Sequence, residues 1–529
     1  MLATLITAVV DGLAGALIRV EVDVAPGLPS CQIVGLPDAA LSEARERVRA
    51  AVRNAGYDYP ASRITVNLAP ADRRKRGAAY DLAIAVGILV ASGQLRAGGG
   101  PVALLGELSL DGSIRPVPGV LPMVATLVRA GHPRLGLPAA NLGEARLVAG
   151  VEAVGLEGLD DAARLVAGPR GRQAQAAARR PSVAVSAPEP ARPADAGQPR
   201  PALAGGIAPV DLSDVRGQAT ARWALEVALA GGHNLLMMGP PGAGKTLLAR
   251  AIPSLLPPLT DTEALEVTVI ESVAGLLGPD PVLRRARPFR APHHTSSYVA
   301  MVGGGPRLIP GLVSLAHRGV LFLDELAEFD RFVLDALRQP LEEGTIHLAR
   351  ASGQVTYPAR VQLVAAMNPC RCGFAGDPER ACRCPPNEPE RYLRRVSGPL
   401  LDRLDLRVEL RRVASADLLA SRSPEGSEPV AQRIAAARDR ALARNGGLTN
   451  AELGGTSLIR AASCGERARA RLLELATASA LSARATHRLL RVARTIADLA
   501  GAEEVDEAAV LAAAAMRSGD GGSLGHLAA

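Results

Sequence analysis

Gly239-Pro240-Pro241-Gly242-Ala243-Gly244-Lys245-Thr246 decides the reading of this 529-residue chain. The string fills every position of the phosphate-loop (Walker A) pattern. In that pattern backbone N–H groups of a glycine-rich turn cradle phosphates, the lysine reaches the β- and γ-phosphates, and the hydroxyl binds Mg²⁺. Only two lysines occur in the whole chain, Lys75 and Lys245. The remaining cations are arginines, whose planar fork fits poorly where a slim point charge must enter a glycine-walled loop. The flanks agree with the motif. Residues 234–238 read as a short buried strand and 246–252 as a helix, so the phosphates would meet the positive end of that helix. A Gly-rich turn with no ligand is the bland alternative, and a match eight positions deep argues against it.

About eighty residues downstream, Gly319-Val320-Leu321-Phe322-Leu323 is an apolar run ending in Asp324-Glu325. ATP hydrolysis needs one carboxylate to hold Mg²⁺ and a second to orient and deprotonate the attacking water; Asp324 suits the first role and Glu325 the second. A further buried strand, 361–367, delivers Asn368 at its carboxyl end, where ligands of open α/β sheets sit, although Asn before Pro369 is also a common turn former. The alternation of helices and buried strands after residue 207 predicts a parallel sheet, and beyond residue 414 only helical patterns remain, such as 466–480 and 485–499.

Arg403, in Ser397-Gly398-Pro399-Leu400-Leu401-Asp402-Arg403-Leu404-Asp405, precedes another strand. With these residues the module resembles the AAA+ ATPases, and specifically the magnesium-chelatase-related branch that includes the ComM (YifB-like) proteins. The resemblance covers nearly the whole chain and implies an α/β fold: a P-loop NTPase parallel-sheet core with a C-terminal helical lid. It makes Arg403 an arginine finger that enters a neighbouring subunit's nucleotide site, and Arg484, in Leu481-Ser482-Ala483-Arg484, the sensor-2 contact. Both would stabilise charge on the transferred phosphoryl group, with solvated surface arginines as the plain alternative. It further implies ATP and Mg²⁺ as cofactors and a homo-hexameric ring. The implied activity is that of a branch-migration helicase acting on branched or single-stranded recombination intermediates during natural transformation, with a recombinase as partner. Magnesium-chelatase-like or protein-remodelling work, and a non-motor regulator, are the rival readings.

Arg287-Pro288-Phe289-Arg290-Ala291-Pro292-His293-His294-Thr295-Ser296-Ser297 matches a signature of the same branch. The histidine pair suggests a metal, but adjacent histidines are expected to point apart and no third ligand is evident. Residues 342–357 read as two strands joined by an Ala-Arg-Ala-Ser-Gly turn. In related ring ATPases such a hairpin grips DNA in the pore, which makes Arg350 a candidate DNA contact; a surface hairpin with a solvated arginine reads equally well. Cys370-Arg371-Cys372 and Cys382-Arg383-Cys384 form two CxC pairs nine residues apart. Four thiolates on a glycine-rich loop can close a structural Zn²⁺ site, with free or redox-active thiols as the alternative. The position of loop 370–384 between Asn368 and Arg403 suggests that a metal there would brace the subunit boundary.

Residues 168–206 turn into Pro, Ala, Arg, Gln and Ser without apolar periodicity and read as a disordered linker. The division is therefore residues 1–167, the linker 168–206, an ATPase core 207–413 and a helical lid and tail 414–529. Residues 20–130 resemble the Lon-protease-like (S5 domain 2-like) magnesium-chelatase-associated domain. Peptidase relatives place a serine near Ala79 and a lysine in the helix after Val120; here Ala79 and Leu121-Pro122-Met123 offer neither, which disfavours proteolysis. Arg73-Arg74-Lys75-Arg76 is a candidate DNA contact or an ordinary solvated cluster. Aromatics are 2% of the chain, which argues against base-stacking platforms, and a net charge of +7 permits a polyanion without demanding one. The first ten residues carry no basic leader and Asp11 interrupts them, which reads as a cytoplasmic protein with no membrane association.

Overall fold

The computed structural model describes residues 1–35, 39–70, 77–98, 100–175, 210–278, 281–305, 308–350, 353–413 and 425–518. Two separate sheets organise the chain. The first is seven-stranded, in the order Ser30–Val34, Arg63–Ala69, Ala14–Ala25, Leu2–Asp11, Ala103–Leu104, Arg134–Pro138 and Glu152–Leu156. The strands Leu2–Asp11 and Ala14–Ala25 form a hairpin in which Asp11 faces Ala14, and Gly12 takes the left-handed conformation the tight turn requires. The very apolar helix Asp81–Ala91 packs on both hairpin strands, and ten of its eleven residues are buried. The helix Val120–Arg129 covers the hairpin as well. Ala79 and Met123 lie in one apolar cluster with Val120 and Val124.

The second sheet is five-stranded and parallel throughout, in the order Phe289–Arg290, Val320–Leu323, Gln362–Met367, Leu235–Met238 and Leu406–Glu409. The three strands that precede the predicted catalytic residues are buried at almost every position, as a parallel sheet covered on both faces demands. Helices Ala219–Gly231 and Lys245–Leu255 join the apolar core shared with the C-terminal helices. Those C-terminal helices include Ser427–Arg444, Glu466–Ala478, Ala483–Leu499 and Glu507–Ser518. Within them Asp498 is a buried hub: Arg444 and Arg494 donate to it, as does Asn450. Each of its two oxygens thus accepts from two donors, the satisfaction a buried carboxylate needs.

The two sheets meet through the helices Val120–Arg129 and Asp261–Val273. The junction is polar at its centre. Glu144 accepts from the Leu121 N–H at 2.8 Å and from the Ser272 hydroxyl, while the Gly119 N–H donates to the Ser272 carbonyl at 2.8 Å. Burial pushes the Glu144 carboxyl above its usual range. The helix Leu159–Gln175 extends past the expected start of the linker at residue 168, broken where Gly168 leaves helical geometry. The rest of the linker, from residue 176, and the Arg73-Arg74-Lys75-Arg76 cluster lie outside the described residues. Among the described residues no helix is long and apolar enough to cross a membrane.

Candidate nucleotide site

The strand Leu235–Met238 feeds directly into the glycine turn, and the turn opens the helix Lys245–Leu255. Gly242 and Gly244 have φ of +79° and +89°, a left-handed backbone that a side chain resists, and they bend the chain so that its amides converge. The Lys245 ammonium is buried in this turn. It donates to the Gly239 carbonyl at 2.6 Å, to the Pro240 carbonyl at 3.0 Å and to Asn368 Oδ1 at 3.0 Å. All three of its protons therefore have protein acceptors. Burial lowers its pKa to about 8, with Asp324 and Glu325 offsetting part of the effect.

Asp324 and Glu325 leave the end of the neighbouring strand, Val320–Leu323. The Thr246 hydroxyl donates to Asp324 Oδ2 at 2.6 Å, so the two residues that could hold Mg²⁺ are already side by side. Glu325 has φ of +53°, an uncommon backbone for a residue with a side chain, and such local strain concentrates at functional sites. Its carboxylate lies 3.3 Å from His294 Nδ1. The expectation that the two histidines point apart is overturned: their rings lie 4.1 Å apart at a tilt of 33°, with His294 edge-on to Phe329. Among the described residues the group arranged to hold a metal is the cysteine cluster, not the histidines. The sequence shows the histidine pair but not its direction; the short strand Phe289–Arg290, laid parallel to Val320–Leu323, is what brings His294 to Glu325.

Arg403 and Arg484 lie elsewhere. The Arg403 carbonyl accepts from the side chain of Asn234, the residue before the phosphate-loop strand, and thus sits at the amino end of the sheet. The phosphate loop sits at the carboxyl end, five residues and about 16 Å further along. Arg403 donates to the Pro399 carbonyl at 2.7 Å and to Glu342, and Arg484 approaches the same Glu342 carboxylate at 3.5 Å. Both line a cleft of about 840 Å³ together with Arg287, Arg318, Arg360 and Arg491. Neither guanidinium reaches this chain's own phosphate loop. Glu342, which gathers the pair, went unremarked in the sequence; its one signal is its place immediately before the hairpin.

That hairpin comprises Thr345–Arg350 and Gly353–Pro358, with Arg350 opposite Gly353. Arg350 is thus the last paired residue beside the tip rather than part of the turn, and it is exposed. Ile346, Leu348, Val355 and Tyr357 anchor the base of the hairpin in the apolar core, and the Tyr357 hydroxyl donates to the Leu308 carbonyl at 2.7 Å.

The four cysteine sulfurs lie within 4.8 Å of one another. Cys370 Sγ is 3.4 Å from Cys372 Sγ and 3.7 Å from Cys382 Sγ, and the latter two are 3.6 Å apart. A tetrahedron with Zn–S bonds of about 2.3 Å has S···S edges of about 3.8 Å, so the spacing fits zinc, and it is far longer than a disulfide bond of about 2.0 Å. The Ala375 N–H donates to Cys370 Sγ at 3.3 Å, and the Cys372 thiol is pulled down to about 6, chiefly by the Arg383 backbone N–H. Loop 370–384 lies against this chain's own phosphate loop, with Gly373 packed on Pro241.

Three family models match. The magnesium chelatase subunit ChlI model covers residues 211–418, a second model of that subunit covers 20–141, and its C-terminal model covers 424–517. The competence protein ComM of Haemophilus influenzae is 40% identical over 93% of this chain and 93% of its own length. The chain belongs to the magnesium-chelatase-related ComM and YifB family. Within this family YifB of Escherichia coli is 44% identical over 91% of this chain and 90% of its own, and a Mycobacterium tuberculosis protein is 46% identical over 93% and 94%. Membership places the parallel sheet and its phosphate loop among AAA+ proteins of the ATPase class, with nucleotide and Mg²⁺ as the ligands of that class.

Proposed function

We propose that this chain is an ATP-hydrolysing subunit of a ring, a DNA motor that promotes branch migration during natural transformation. The observation that carries the ring is the division of the catalytic set. Lys245, Thr246, Asp324, Glu325 and Asn368 gather at the carboxyl end of the sheet, whereas Arg403 and Arg484 gather at the amino end. Two guanidiniums too far to serve their own site suit the site of a second copy docked against that end.

In this reading the loop amides and Lys245 bind the triphosphate, and Thr246 and Asp324 would hold Mg²⁺, which would supply charge neutralisation to the phosphates. Because the lysine's protons are all engaged in the free site, phosphate must displace one acceptor. Asn368 is the acceptor on a side chain. Its release frees the amide to orient the attacking water, and Glu325 takes the proton from that water once it leaves His294. Arg403 and Arg484 of a neighbouring copy then stabilise the charge on the transferred phosphoryl group. The four cysteines hold structural zinc.

DNA as the track is supported by the exposed Arg350 beside the hairpin tip, by the net charge of +7 and by the name of the competence relative. The N-terminal sheet, read as a Lon-like domain without peptidase chemistry, has apolar side chains at Ala79 and Met123. The test is ATP turnover with a four-way junction, with linear duplex as control. Stimulation specific to the junction, lost in Arg350→Ala, is the expected result. Absence of stimulation by any DNA, with no strand exchange on the junction, would sink the DNA reading and favour protein remodelling.

A further inference from the structure

We infer that the Cys370–Cys372–Cys382–Cys384 knot is a zinc-dependent brace for the phosphate loop, so that metal occupancy sets nucleotide affinity. The inference rests on the nucleotide-site reading above and adds a regulator to it.

The knot touches the site from two directions. Its first cysteine is two residues beyond Asn368, the side chain bonded to Lys245, and Cys370 itself is fully buried. Its glycine, Gly373, fits flat against Pro241 in the middle of the phosphate loop: a Cβ there would stand 2.7 Å from Pro241 Cγ and nearer still to Cδ. The Gly373 φ of +87° is also one that side chains resist, so both backbone shape and close approach demand glycine. From the outside, Phe374 is flanked by Arg380 and Arg412, with guanidinium carbons 5.5 and 5.4 Å from its ring. Arg412 also pairs with Asp377 at 3.2 Å. Two residues before Arg412, the Leu410 N–H donates to the Met238 carbonyl at 2.7 Å, at the base of the phosphate loop. The loop is clasped between its own strand and the knot.

Beyond Gly373 and Phe374 nothing apolar within the knot holds it in this shape. Between residues 371 and 384 only Gly373 is buried, and no helix or strand forms there. A segment that buries so little surface does not order itself. Three sulfurs near tetrahedral edge lengths, with the fourth within 4.8 Å of them, supply the missing cross-link when zinc joins them, and the glycine contact transmits the resulting rigidity to Pro241. Coupling of this kind is reciprocal: whatever factor zinc adds to nucleotide affinity, nucleotide must add to zinc affinity.

The experiment uses the full-length chain. Zinc content is measured by elemental analysis, and the affinity of a fluorescent ATP analogue is measured on zinc-loaded, chelator-stripped and zinc-restored protein. The expected result is one zinc per chain and a nucleotide affinity that falls about tenfold on stripping, within the usual range of coupling between sites. Zinc should restore it and Mg²⁺ should not, and ATP should slow zinc loss to a competing chelator by a similar factor. Gly373→Ala separates the brace from the metal, because it leaves all four thiols in place: it should keep zinc and still weaken nucleotide. Should that variant unfold, the stripping and restoration of the wild-type chain decide alone. Absence of zinc, or stripped protein that binds nucleotide as before, overturns the inference. Lys245→Ala guards the underlying reading: if it binds the analogue like wild type, the nucleotide site itself is misassigned, whatever the zinc does.

Discussion

Raising the pH from 7 to 9 should weaken nucleotide binding about tenfold, because Lys245 loses its proton in that interval. Burial in the glycine turn lowers its pKa to about 8 in the free protein. At pH 7 about nine in ten molecules carry the ammonium, and at pH 9 about one in ten does. Bound phosphates favour the charged lysine and raise its pKa again, so binding at pH 9 must first recover the proton. The cost is about 1.4 kcal/mol at pH 9, and it vanishes below pH 7. The ligand does not confuse the measurement, since a phosphate monoester loses its last proton near pH 6. The assay is equilibrium titration with a fluorescent ATP analogue and Mg²⁺ at half-unit steps. Lys245→Arg is the control, because a guanidinium keeps its charge throughout: its affinity should be weaker and flat with pH. A wild-type profile that stays flat from pH 7 to 9, or an arginine variant that shows the same fall, would refute the reasoning.

Glu325→Gln should bind nucleotide with unchanged affinity while turnover falls by about 10²- to 10⁴-fold, measured as phosphate release under saturating ATP. Arg403→Ala and Lys245→Ala should each be inactive, yet a mixture of the two should hydrolyse ATP. In a randomly mixed ring about a quarter of the sites pair an intact loop with an intact neighbouring arginine; a mixture as dead as its components would place the arginine's action within one chain. His317 should make the fold acid-sensitive. It is 2% exposed, accepts from the Arg360 N–H through Nδ1, and burial lowers its pKa to about 4. Below pH 6.5 the unfolded chain takes up a proton that the folded chain refuses, so stability is lost as pH falls from about 6.5 to about 4. At pH 5 the loss is about 2 kcal/mol, read as the extra shift in denaturant midpoint relative to His317→Gln.

What the sequence disclosed and what it hid follow from how each feature is built. The phosphate loop was legible because strand, turn and helix are contiguous: the glycines that permit positive φ, the lysine and the threonine all lie within eight residues. The acid pair and Asn368 were legible for the same reason, each being the polar end of a buried strand. The cysteine cluster was legible as chemistry but not as location, since its approach to Pro241 depends on the strands Gln362–Met367 and Leu235–Met238 being neighbours in the sheet. His294 beside Glu325, and Glu144 at the junction of the two sheets, required knowledge of which elements pack together. Arg403 shows most clearly why order along the chain misleads. It follows Asn368 by thirty-five residues, but the chain crosses the sheet in that interval and re-enters at the opposite end, beside Asn234. A parallel sheet imposes this: each strand starts at the same end, so a residue before a strand and a residue after one are separated by the full strand length. A phosphate loop, which follows its strand, and an arginine that precedes its own can meet only when the amino end of one sheet faces the carboxyl end of another. The head-to-tail contact that satisfies both is one that repeats, and a repeating contact of that kind closes into a ring when its rotation allows.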